Sequence, residues 1–229
     1  MKFILSRNED YLSHSKKWML GHAFLFWLIT RVVVMLIMGC CMTIYQNNGI
    51  NPQELTSFGG DPTVTKVSSS IIRAILMMAI IAPMFEEILF RFGLSFKRVS
   101  VATSLAFIPL FPAFSHNRTT SVYIWLICIA LAFIVFCCVF FFTSDKFWQN
   151  KKRQWQIPAI WLTSIAFGLV HLVAFTTLSV ILLPYALSVI LAPFFAGCAC
   201  AYLRVNMGFG WGLAMHIFNN IPGIIIMLC

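Results

Sequence analysis

Between Val122 and Phe142 the sequence uses Val, Ile, Leu, Ala, Cys, Phe, Tyr and Trp, with no Asp, Glu, Lys, Arg or His. A run of this length matches a bilayer's hydrocarbon core, which takes ~20 apolar residues in a helix. In hydrocarbon a backbone must satisfy its own hydrogen bonds, so the run is expected to be a spanning helix. Composition extends the expectation to the whole chain. Of its 229 residues, 60% are hydrophobic and 10% charged, against ~45–50% and ~25% in soluble domains. The fold class expected is all-α, a polytopic membrane helical bundle of about seven transmembrane helices, within limits of six to eight. No repeat or linker divides it, so residues 1–229 are expected to be one domain.

The expected spans are Trp18–Tyr45, Ser68–Phe96, Val101–Phe114, Val122–Phe142, Ile157–Phe175, Ile181–Leu203 and Trp211–Leu228. Pro109 and Pro112 interrupt the third, which is a kinked span or a re-entrant segment. Asp145–Gln156 is predicted as a basic loop with interfacial Trp148 and Trp155. The formal net charge of +9 would point to nucleic acid in a soluble chain. Here the basic residues lie between spans and act as topology signals, so no nucleic-acid partner is expected and membrane lipids are. Eleven of the sixteen (Lys2, Arg7, Lys16, Lys17, Lys97, Arg98, Lys146, Lys151, Lys152, Arg153, Arg204) fall on one side, against Lys66 and Arg118 on the other. The positive-inside rule then puts the N-terminus in the cytoplasm, and the brief loops suit a bacterial cytoplasmic membrane. The eight cysteines lie almost entirely in apolar runs, as small hydrophobes and not as a disulfide framework. No cleavable signal, lipidation site or prenylation signal is expected.

Against this background Glu86, Glu87 and Arg91 stand out, because each ionisable group in a span costs at least ~2.5–3.5 kcal/mol. Glu87 and Arg91 are i,i+4 with the acid N-terminal, the arrangement of an intrahelical ion pair. Glu86 is turned about 100° away and lacks an intrahelical cation. Such a carboxylate suits general acid–base work, whereas three mutually neutralised groups would only tie helices together. His171 and His216 are also embedded in apolar spans, and Asn220 lies i,i+4 from His216 on one face. Imidazole and carboxamide there are placed to donate hydrogen bonds to an oxyanion. Gly168, Gly208, Gly210 and Gly212 would allow close approach near these residues.

Glu86-Glu87…Arg91, Phe167…His171 and His216…Asn220 together resemble the signature of the CPBP family (CAAX protease and bacteriocin-processing, or Abi, intramembrane proteases). The resemblance covers a motif-bearing core at residues 68–98 and 155–228. It implies an intramembrane endopeptidase that cuts a membrane-associated peptide or protein near the cytoplasmic side. Glu86 would activate a water with His171, His216 and Asn220 would hold the oxyanion, and Arg91 would fix Glu87. The family is often labelled metalloprotease, and Glu86, His171 and His216 would be the zinc ligands. No His-Glu-x-x-His pair preorganises two ligands, so a metal-free route is preferred and no cofactor is expected. One departure concerns spacing, since 85 residues separate Glu86 from His171. His116 stands at nearly the familiar distance but has Pro112 where the motif wants Phe, so His171 is preferred. His171 is also eighteen residues from Arg153, ~27 Å along a straight helix, and so deeper than Glu86 or His216. The alternative function is a non-catalytic bacteriocin-immunity or partner-binding scaffold. A transporter would need a broken-helix repeat that is not visible.

Overall fold

The computed structural model describes residues 15–50, 68–115, 121–174 and 180–228, and among these there is no strand. The long loop expected before Ser68, the basic leader, His14, His116, the Thr176–Ser179 link and Cys229 lie outside the described residues. The helices are α1 (Lys16–Asn47), α2 (Ser68–Leu76), α3 (Ala82–Arg91), α4 (Arg98–Ala106), α5 (Phe111–Ser115), α6 (Val122–Phe142), α7 (Asp145–Val170), α8 (Leu183–Met207) and α9 (Phe209–Leu228). A π turn, Met77–Ile81, joins α2 to α3, and 3-10 turns follow α3 and α7. Three helical stretches, Lys16–Asn47, Val122–Phe142 and Val180–Met207, are long and apolar enough to cross a membrane by length and composition. Their outward faces carry exposed Leu, Ile, Met and Phe, as lipid contact requires. The protein is an integral membrane helical bundle.

The expected basic loop Asp145–Gln156 is instead the first half of α7. Ser144 caps the helix by accepting from the Phe147 N–H at 3.1 Å, and Trp148 Nε1 donates to Thr143 Oγ1 at 2.8 Å. The segment contains no Gly or Pro, and its Lys, Arg and Gln are good helix formers. Its charges do not break the helix. Similarly, α8 runs through Arg204, and the link to α9 shrinks to Gly208, whose φ of 106° needs glycine.

The bundle is organised around α8, which packs against α1, α7 and α9. Its run Ala196-Gly197-Cys198-Ala199-Cys200-Ala201 is fully buried, because residues this small let three helices approach one axis. On one side Met19, Ala23 and Trp27 of α1 form a core with Ala199, Cys200 and Leu203. The Pro-broken segment closes the other side of α3. A helix from Phe107 to Phe114 would hold those rings two turns apart, ~10.5 Å. The break at 107–110 instead folds both onto Phe85, at 5.1 and 4.1 Å between ring centroids. The segment is therefore two short helices, Arg98–Ala106 and Phe111–Ser115, and not one continuous helix. Helix α6 packs chiefly on α4, so within the extra length between the first two motifs this helix is the peripheral part, whereas the Pro-broken segment packs on α3.

Candidate active site

Local geometry begins at Pro83. Proline has no N–H, so the carbonyl four residues back loses its helical donor and the chain upstream widens. Here Ala82 N–H bonds Met77 O, five residues back. Met78 O thus loses its usual partner, and the donor one residue further on would be Pro83. Asn220 Nδ2 fills the gap, donating to Met78 O at 3.0 Å. Beyond the π turn, α3 presents its charged groups inward. Its C-terminus is capped by Arg204, whose Nε and Nη2 donate to the Arg91 and Phe92 carbonyls at 3.3 and 3.0 Å. Ser104 of α4 donates to Ile88 O and accepts from Gly93 N–H, both at 2.7 Å.

The ion pair read from the sequence is present. Arg91 Nη1 lies 2.6 Å from Glu87 Oε1, and both side chains have zero exposure. Glu86 has no cation on its own helix, as expected, and its partner comes from α9. His216 bridges both acids, with Nδ1 2.9 Å from Glu87 Oε1 and Nε2 3.2 Å from Glu86 Oε2. Each of these N···O lines needs one proton, carried by the imidazole or by the acid. The four groups form a charge-balanced set. Within it Glu87 is sealed, while Glu86 retains 21% exposure.

Phe167 holds this set against the second motif. Its ring lies 4.0 Å from Arg91 Cζ, in cation–π contact, and meets both imidazoles edge-on, His171 at 5.0 Å and His216 at 5.3 Å. One phenyl ring therefore spaces the two histidines, and His171 reaches the site despite its distance from Arg153. Helix α7 starts at Asp145, so Arg153 is inside a helix and does not mark its entry. His171 Nδ1 lies 2.8 Å from Phe167 O. A carbonyl only accepts, so Nδ1 carries the hydrogen, and in the neutral tautomer this leaves the lone pair on Nε2. His171 is within electrostatic range of Glu86, His216 and Arg91.

Among the described residues no three His, Cys, Asp or Glu side chains converge as a metal-ligand set.

Several contributors were not singled out in the sequence. A Cβ on Gly197 would sit 2.7 Å from Arg91 Nη2, so this glycine makes room for the guanidinium. Of the glycines expected to permit close approach, Gly168 does so against Ile190 O at 3.0 Å and Gly212 against Cys200 O at 3.0 Å, whereas Gly210 faces open space. Beside the site, α3, α4 and α7 line an open apolar cavity of about 670 Å³, with Phe90, Leu94, Leu105 and Ala166 in its wall and Trp155 and Lys151 among its lining. Phe90 and Gly93 are i+4 and i+7 from Glu86, so the cavity continues the stripe of α3 that carries that acid.

Compared with protein families, residues 68–222 match the model described as Type II CAAX prenyl endopeptidase Rce1-like. The chain belongs to this family. The match runs from α2 into α9 and includes the acid pair, both histidines and Asn220. Family membership implies a CAAX-type intramembrane protease. Searches of curated proteins and of solved structures gave no match.

Proposed function

We propose that the chain is an intramembrane endopeptidase in which Glu86 activates the water that attacks a substrate carbonyl. The observation that carries this reading is the asymmetry of the two acids: both lie in one neutralised cluster, and only Glu86 is accessible. Glu86 takes a proton from water as the water oxygen bonds to the carbonyl carbon. His171 Nε2 accepts the second water hydrogen and orients it. The oxyanion is met by His216 Nε2–H, whose 3.2 Å contact to Glu86 lies on the accessible edge, and by the Asn220 N–H that Met78 O does not use. When the C–N bond breaks, the proton held by Glu86 passes to the leaving amine, giving a carboxylic acid and an amine; the acid's proton then leaves to the amine or to solvent. Glu87 and Arg91 hold His216 and α3 in place. The reaction runs without a metal.

The substrate is a membrane-associated peptide or protein. The apolar cavity along the Glu86 stripe suits a large apolar group next to the scissile bond, and the family's prenylated substrates carry one. The N-terminus faces the cytoplasm of a bacterial cell. Comparative peptidomics of membranes with wild-type and Glu86→Ala protein, together with cleavage of a fluorogenic farnesylated CAAX peptide, tests this. Accumulated precursors and lost cleavage are expected. An unchanged peptidome and unchanged cleavage at normal protein abundance would leave the scaffold reading, which the self-neutralised cluster equally serves.

A further inference from the structure

Behind the site runs a relay of amides that starts on α1, outside the segment matching the family. Trp27 Nε1–H donates to Asn219 Oδ1 at 2.9 Å. Asn219 Nδ2 donates to Asn220 Oδ1 at 3.2 Å, and Asn220 Nδ2 donates to Met78 O at 3.0 Å. The direction is fixed at both ends, since an indole nitrogen only donates and a backbone carbonyl only accepts. Neither amide can flip without opposing two donors or two acceptors. Trp27 therefore decides which way Asn219 faces, and Asn219 decides which way Asn220 faces.

The far end of the relay is the carbonyl that the π turn leaves without a backbone donor. The π turn holds one residue more than an α turn would, and a residue sets about 100° of helical phase. If Met77–Ile81 relaxed to α geometry, Glu86 and Glu87 would swing off His216 by about that angle. Sealing Met78 O is what keeps the turn open without leaving this part-buried acceptor bare.

We propose that Trp27 is a positioning residue for the site, acting through Asn219 and Asn220 on the π turn that sets the facing of Glu86 and Glu87. The inference rests on the protease reading for its effect on catalysis, and on the relay alone for its effect on α3. Trp27 is 7% exposed and packs edge-on against Phe218 at 5.1 Å. Trp27→Phe thus removes the N–H and keeps most of the packing.

The test uses full-length protein in nanodiscs with the farnesylated CAAX peptide, plus hydrogen–deuterium exchange. In Trp27→Phe, kcat is expected to fall on the order of tenfold, with KM within about twofold, as a transition-state positioning defect does. Amide exchange is expected to rise across residues 77–84 and not elsewhere. Asn219→Ala should reproduce both effects, and adding it to Trp27→Phe should cost little more, because both cut one chain. Unchanged kcat with unchanged local exchange overturns the inference, as does a rise in exchange spread over the whole bundle. If wild type and Glu86→Ala cleave alike, the protease reading falls, and exchange at 77–84 alone then decides whether Trp27 holds α3.

Discussion

Gly197→Ala tests the geometry at its tightest point. The added Cβ would stand 2.7 Å from Arg91 Nη2, 3.2 Å from Phe167 Cδ1 and 3.6 Å from Ser164 Cα. An unstrained contact needs about 3.5 Å, so the guanidinium must retreat by about 0.8 Å. It has nowhere to go. Nη1 is held 2.6 Å from Glu87 Oε1, and Cζ lies 4.0 Å from the Phe167 ring. Phe167 is itself crowded by the new carbon. Overpacking of this kind costs about 1–3 kcal/mol, and any shift of Arg91 drags Glu87 and the imidazole bound to it. We expect Gly197→Ala to lose about that much in SDS-titrated unfolding, and to lose cleavage even under conditions where it stays folded. Gly210→Ala is the matched control, because nothing lies within 4 Å of its Cβ. That change should instead gain up to about 1 kcal/mol from helix propensity. If Gly197→Ala unfolds like wild type and cleaves like it, the placement of Arg91 against α8 is wrong.

Glu86→Gln should cut turnover at least about 100-fold, the scale of a lost general base. Its unfolding free energy should stay near wild type, because the carboxamide still accepts from His216 Nε2; equal turnover would refute the role of Glu86. Arg91→Ala strands Glu87 at zero exposure and should cost about 3–5 kcal/mol, seen as lost abundance. The double change Glu87→Gln with Arg91→Met should recover part of it, and no recovery would argue against a pairwise clamp. Chelators such as 1,10-phenanthroline should leave cleavage by purified protein intact, and full loss restored by zinc would overturn the metal-free route.

How much of this was legible follows from which forces act within one helix. The Glu87–Arg91 pair depends only on i,i+4 geometry, so sequence spacing was enough. The bundle was legible because apolar runs of spanning length have few alternatives in lipid. The partners of His216 and Asn220 were not, since they depend on the register of α9 against α3. Asn220 was expected beside an oxyanion, but its visible bond goes to Met78 O. A signal did exist for that bond: Pro83 in a helical run strips the carbonyls just upstream of donors. Gly197 sits in a stripe of small residues where nothing marks it from its neighbours. Asp145–Gln156 was misread because charge was given more weight than capping by Ser144.

The two glutamates show where the local argument stopped short. Helical geometry separates them correctly and pairs only one with Arg91, which leaves Glu86 alone in a low-dielectric setting. Such isolation is costly, and the fold removes it by bringing His216 between the acids at 2.9 and 3.2 Å. Two acids, one guanidinium and one imidazole then balance in charge, although Glu87 Oε2 and Arg91 Nε and Nη2 stay buried without a hydrogen-bond partner. Solitude therefore cannot be what distinguishes the carboxylate proposed to activate water. Glu86 differs from Glu87 in having the longer contact and the only exposure, so water or a peptide carbonyl can compete for its oxygen and for His216 Nε2 without breaking the Arg91–Glu87 clamp. Reactivity on this reading comes from a loosely held member of a neutral set, positioned by the members that are held tightly.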